Sequence, residues 1–228
     1  MAVPALTLHV DAAWESPWAF HAFVALDEKR LPFDVVTEPL PLSAARRTAL
    51  SELGVLGKIP MLVHARDAGA FALTESLAIS EYLAETFPYP DHPRLFPADL
   101  AERARARQVM SWLRTSLLAL RSERPTSHVF APAPPAALPP LSDAARAQAD
   151  ELVGVAARLI APGRPELFAT WSIADADLAL ALMRLVAIDG DDELVPSAIA
   201  AYARAQWARP SIQRWVARAH AAHHAGAR

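Results

Sequence analysis

Two hydrophobic patterns divide this chain. Up to residue 87, apolar runs of strand length alternate with helical stretches; after the prolines that follow, apolar positions recur at helical spacing. In the first part, Leu6-Thr7-Leu8-His9-Val10 reads as a strand, Pro17 to Lys29 as a helix, and Phe33 to Thr37 as a second strand. Ser43 to Leu53 is a polar helix or an irregular segment. Met61 to His64 and Ala70 to Leu73 are short strands that can form a hairpin across residues 65–69. Glu75 to Phe87 is a helix with Leu77, Ile79, Tyr82 and Leu83 available to a core. The order βαβ, then α, then ββα predicts a small mixed sheet carrying helices.

Pro88, Pro90 and Pro93 then make a stiff connection and a domain boundary. The expected division is an N-terminal domain over 1–87, a proline-rich linker over 88–98 and an all-helical domain over 99–228. From Asp99 to Arg121, Ala106, Val109, Met110, Leu113, Leu117 and Leu120 fall at helical spacing. Residues 131–140 form a proline-rich connector, read as extended loop. Further helices are expected over 142–160, 173–189, 196–207 and 211–223. The stretch Ile173 to Val186 is apolar nearly all round and should be buried. No internal repeat is visible.

Composition narrows the function classes. The chain has 228 residues, enough for a sizeable core in one or two domains, and 53% are hydrophobic, which fits a folded globular protein. Twenty-two basic against 25 acidic residues leave a net charge of −3, which argues against nucleic acid as the main partner. No apolar run reaches the roughly 20 residues of a membrane span. The N-terminus has no basic region and soon reaches Asp11, so a signal peptide is not expected, and the cysteine-free composition fits a cytoplasmic protein. There are no cysteines, which excludes disulfides, cysteine metal sites and a protein thiol nucleophile.

Chemistry concentrates in two stretches, Leu56 to Val63 and Leu73 to Ile79. Pro60 precedes an apolar run, where its missing N–H costs nothing. The Ile59–Pro60 bond can be cis at modest cost, which would turn the Ile59 backbone outward. Glu75 and Ser76 stand where a helix N-terminus offers free N–H groups to a carboxylate. One cleft thus offers backbone groups to a peptide and a helix start to a carboxylate, a site for a small acidic peptide. Plainer readings stand beside this one: Pro60 as an ordinary strand start, and Ser76 and Glu75 as ordinary first-turn residues. Ser16 precedes Pro17, and proline favours the first helical position, so Ser16 is a natural N-cap.

Six pieces together resemble the glutathione S-transferase superfamily over almost the whole chain. They are Ser16-Pro17, Lys58-Ile59-Pro60, Thr74-Glu75-Ser76, Ser172-Ile173-Ala174-Asp175, Arg103 to Gln108, and Glu123-Arg124-Pro125-Thr126. Within the superfamily the last two look most like bacterial transferases of the YfcF kind. The resemblance implies a thioredoxin-like α/β N-terminal domain, an all-α C-terminal domain and a homodimer. It implies glutathione as co-substrate, with no tightly bound cofactor and no metal. Ser16 is then the catalytic candidate, its hydroxyl proton pointing at the glutathione sulfur while its oxygen caps the helix. The energies suffice. Lowering a thiol pKa by about two units needs roughly 2.7 kcal/mol. A hydrogen bond to a charged group supplies roughly 1.5–3 kcal/mol, and a helix N-terminus roughly 0.3–1 kcal/mol more.

By the same resemblance, Ile59 and Pro60 present the Ile59 backbone to the cysteinyl unit, and Glu75 and Ser76 hold the γ-glutamyl end. Lys58 either pairs with the glycyl carboxylate or is a solvated loop lysine; Arg46 and Arg47 are weaker candidates for that pairing. Trp14, Trp18, Trp112 and Arg124 are candidates for the second-substrate pocket, with Trp112 read as core in the alternative. The implied activity is attack of glutathione thiolate on a small electrophile or peroxide, a detoxification chemistry. The rivals are a glutathione-binding or protein-interaction module without turnover, and a glutathione-dependent peroxidase or isomerase. Ser172 with Asp175 is read as a structural capping box. Arg103, Arg107, Arg114 and Arg121 are read as a solvated or dimer-contact face. His220, His223 and His224 have a spacing that can bind metal, but are read as a solvated tail.

Overall fold

In the computed structural model, residues 5–226 are described apart from 134, 136, 137, 162 and 187–193. The first part begins with β1 (Ala5–Asp11), α1 (Pro17–Glu28), β2 (Asp34–Glu38) and α2 (Ala44–Leu53). It continues with β3 (Met61–Arg66), β4 (Gly69–Thr74) and α3 (Ser76–Thr86). The strands form one sheet in the order β2-β1-β3-β4. β1 runs parallel to β2 and antiparallel to β3, and β3 is antiparallel to β4. The parallel pair requires a crossover, and α1 supplies it. Leu6, Leu8 and Val10 of β1 and Phe20, Phe23, Val24 and Leu26 of α1 are all buried.

The helical part contains α4 (Leu100–Thr115), α5 (Leu118–Glu123), α6 (Thr126–Phe130), α7 (Asp143–Leu159), α8 (Ile173–Met183), α9 (Ser197–Trp207) and α10 (Pro210–Gly226). α8 is buried from Ile173 to Leu182 except for Ala181, which is why its sequence lacks a polar face. Trp215 of α10 and Phe130 are fully buried, their ring centroids 6.0 Å apart. The chain divides into two compact units, 1–95 with 217–228 and 96–216. The last turns of α10 therefore pack with the sheet-bearing unit.

Three differences from the sequence expectations have physical causes. The helix expected from Asp99 to Arg121 stops at Thr115, because Leu117 turns left-handed at φ 61. The apolar spacing of Leu113, Leu117 and Leu120 runs through that break and hides it. The arginine face, read as solvated or dimer-contact, is partly turned inward, since half-buried Arg114 pairs with buried Asp177 of α8 at 2.5 Å. Nor is the C-terminal histidine run simply a solvated tail: His223 lies 3.2 Å from Glu15. Part of the helix expected over 173–189, and part of the connector at 131–140, lie outside the described residues.

Candidate functional site

The sheet register brings distant loop ends to one edge. His9 pairs with Met61, and Met61 with Thr74, so the end of β1, the start of β3 and the end of β4 share one row. Ser16, Lys58-Ile59-Pro60 and Glu75-Ser76 follow or precede that row directly. The first unit therefore gathers six of the candidates at one end of its sheet.

Ser16 caps α1, and its hydroxyl oxygen accepts the Ala19 N–H at 3.3 Å. Its own N–H donates to Asp11 Oδ1 at 3.2 Å, and the Glu15 N–H donates to Asp11 Oδ2 at 2.6 Å. The Trp14 N–H donates to the Asp11 carbonyl at 3.1 Å, and Trp14 holds a left-handed φ of 58. Asp11 is 3% exposed. Burial pushes its carboxyl up from the usual carboxylate range, and the backbone N–H groups of Glu15 and Ser16 pull it back. Sequence reasoning missed this residue's part, for a lone aspartate at a strand end carries no periodic or motif signal.

The other two segments differ in exposure. Lys58 is exposed, Ile59 half-buried and Pro60 buried, and the Ile59–Pro60 bond is cis. Gly57 must be glycine, because a Cβ there would stand 2.3 Å from the Arg47 carbonyl oxygen. Glu75 precedes α3 at φ 66, a conformation that costs a non-glycine residue of order 1–3 kcal/mol and clusters at functional sites. Its exposed carboxylate makes no capping hydrogen bond. Ser76, the first helical residue, is buried.

Arg46 and Arg124 are engaged by the protein itself, whereas Arg47 is exposed. Arg46 grips Glu38 through two nitrogens, Nε at 2.8 Å and Nη2 at the other oxygen. His9 Nδ1 lies 2.8 Å from the same carboxylate. Arg46 and then burial-opposed hydrogen bonding from His9 bring Glu38 down to about 2. Arg124 donates to the carbonyls of Pro139 at 2.6 Å and Glu123 at 3.0 Å. Trp112 is half-buried, its Nε1 3.2 Å from Glu151, and lines a groove of about 460 Å³ with Arg105, Val109 and Leu159. Trp14 is buried edge-on against Phe23, with the Arg218 guanidinium 5.1 Å from its ring, while Trp18 is half-buried. Among the described residues no three His, Asp or Glu side chains gather as a metal site, and no helix is long and apolar enough to cross a membrane.

A four-stranded mixed sheet with its loop ends gathered at one end, followed by a helical domain, is a thioredoxin-like domain joined to an all-helical one. The chain belongs to the glutathione S-transferase family: the model of the family's C-terminal domain matches residues 99–221 and that of its N-terminal domain residues 15–86. A glutathione transferase homolog from Burkholderia, solved with bound glutathione, is 37% identical, with 94% of this chain and 97% of that one covered at a TM-score of 0.72. Glutathione S-transferase theta-1 of Bos taurus is 34% identical over 49% of this chain and 43% of its own length. A probable maleylacetoacetate isomerase of Caenorhabditis elegans is 36% identical over 42% of this chain and 41% of its own. The matches thus span less than half the length of these curated relatives.

Proposed function

We propose that this protein is a glutathione transferase in which the Ser16 hydroxyl stabilises glutathione thiolate for attack on a small electrophile. The observation that carries the reading is the Ser16 geometry. Its oxygen is used as the α1 cap, while its proton has no acceptor among the described residues. A thiolate placed there receives a charge-assisted hydrogen bond and faces the positive end of α1. The thiolate, not the thiol, is the nucleophile, so this shift in ionisation is the catalytic step the residues can supply.

The remaining segments suit the rest of the tripeptide. Glu75, exposed and free of capping duty, suits the γ-glutamyl ammonium. The start of α3 at Ser76 suits its carboxylate. The Ile59 backbone, set before Pro60, suits the cysteinyl backbone, and Lys58 the glycyl carboxylate. Trp14 and Trp18 in the first unit, and Trp112 and Arg124 in the second, are each carried forward as separate candidates for contact with the second substrate. In this reading glutathione is consumed as co-substrate, no other cofactor takes part, and the protein works as a cytoplasmic homodimer of the YfcF-type branch. The same reading keeps the domain limits at 1–87 and 99–228 with a linker over 88–98.

The isomerase relative supports a second reading, because an isomerase can use the same thiolate as a transient nucleophile. Retention on immobilised glutathione combined with turnover of an activated aryl halide tests the transferase. Retention with conjugate formation supports it. Retention without turnover of aryl halide, peroxide or maleyl substrate makes the chain a binding module instead.

A further inference from the structure

We propose that Asp11 is the positioning residue for Ser16, setting the loop so that the hydroxyl meets the glutathione sulfur. The inference rests on the reading of Ser16 given above and adds a residue to that site. Asp11 ends β1, five residues before Ser16, and the intervening loop has no regular structure of its own. Each carboxylate oxygen takes one backbone N–H, from Glu15 and from Ser16, and the Asp11 carbonyl takes the Trp14 N–H. Three successive residues therefore hang from one aspartate. Asp11 is held in turn by β1, whose Thr37 and Glu38 neighbours on β2 pair with Val10 and Asp11.

The chemistry demands a carboxylate. Two convergent N–H groups need two acceptors, and only an ionised acid offers both without a donor of its own. An asparagine of equal size would satisfy one N–H and turn its amide NH2 toward the other. The loop would relax, and with it the direction of the Ser16 Cα–Cβ bond. A misplacement of about 1 Å can cost about a hundredfold in rate even when made away from the reacting atoms. Binding of the glutathione backbone at Ile59 and Glu75 does not pass through this loop. The proposal therefore separates the two effects: kcat should fall and the glutathione KM should hold.

The test is a double-mutant cycle of Asp11→Asn and Ser16→Ala, read by thiolate absorbance of bound glutathione across pH and by kcat and KM. Asp11→Ser, which is smaller and keeps an acceptor, runs in parallel in case Asp11→Asn does not fold. The expected result is a bound thiol pKa moved by about one unit or more toward that of free glutathione in either single variant. The kcat should fall about tenfold to a hundredfold with KM little changed, and the double variant should be no worse than Ser16→Ala alone. If Ser16→Ala loses the thiolate shift while the folded Asp11 variants keep it, the positioning role is overturned and the serine reading stands. If the two losses simply add, Asp11 acts independently of Ser16 and the positioning role is overturned. If Ser16→Ala keeps the shift, the serine reading fails and Asp11 has nothing to position.

Discussion

Two helices of this protein begin at a serine beside a buried aspartate, and the two serines end up with opposite resources. At α8, the Ser172 N–H donates to Asp175 Oδ2 at 2.8 Å and the Ser172 hydroxyl donates to the same oxygen at 3.1 Å. The other oxygen accepts the Leu167 N–H at 2.8 Å and the Tyr202 hydroxyl at 2.9 Å. Everything polar there is spent inside the fold, and both Ser172 and Asp175 are fully buried. At α1, the Asp11 carboxylate accepts the Glu15 and Ser16 N–H groups, and the hydroxyl proton of half-buried Ser16 has no acceptor among the described residues. A capping serine is structural or functional according to where its proton goes, which depends on the aspartate and not on the cap.

The largest way to sharpen that contrast is at α8. Asp175→Ala would leave several buried donors without an acceptor, each costing roughly 1–3 kcal/mol. Chemical denaturation should show a loss of about 3 kcal/mol or more, with the thiolate shift of the folded fraction unchanged. A comparable loss of thiolate shift would mean that α8 also serves the site. Next in size is Gly57→Ala. Its Cβ has no room beside the Arg47 carbonyl, so the loop carrying Lys58 and Ile59 must move. Overpacking of this kind costs about 1–3 kcal/mol; the glutathione KM should rise while the thiolate pKa stays, the reverse of the pattern expected at Ser16. An unchanged KM would remove residues 58–60 from the peptide site.

The smallest effect is a slope. Asp11 and Asp175 have carboxyls raised by burial, whereas Arg46 holds Glu38 down at about 2 against an ordinary 4.5. A depressed carboxylate adds stability that is fully present above its ordinary value and is lost as pH falls through its folded value. Unfolding followed between pH 4.5 and about 2 should therefore show Glu38 stabilisation disappearing. Glu38→Gln should flatten that part of the profile. An unaltered slope in the variant would show that the Arg46 pairing contributes nothing in solution.

What the sequence disclosed follows from how far each interaction reaches along the chain. Strands and helix starts are local, so the sheet elements, the caps at Ser16 and Ser172 and the proline before β3 were legible as patterns. The break after Thr115 was not, because a left-handed Leu117 keeps the apolar spacing intact. Pairings across the fold were equally silent: Arg114 with Asp177 spans 63 positions, and Trp171 with Gln206 spans 35. Asp11 stands only five residues from Ser16 and was still missed. Its function resides in the curl of a loop, and loops carry no period to read. Arg46 was legible as a cation near the site, but nothing local announced that Glu38 and His9 had already claimed its surroundings.

The most direct measurement is the pH titration of thiolate absorbance for glutathione bound to the wild type and to Ser16→Ala. The wild type should lower the thiol pKa below that of free glutathione, and Ser16→Ala should bind glutathione yet lose most of that shift. A charge-assisted hydrogen bond of roughly 1.5–3 kcal/mol corresponds to about one to two pKa units. If the thiol pKa is equally low in both proteins, or equal to that of free glutathione in both, Ser16 is a helix cap like Ser172 and the contrast between the two serines carries no chemistry.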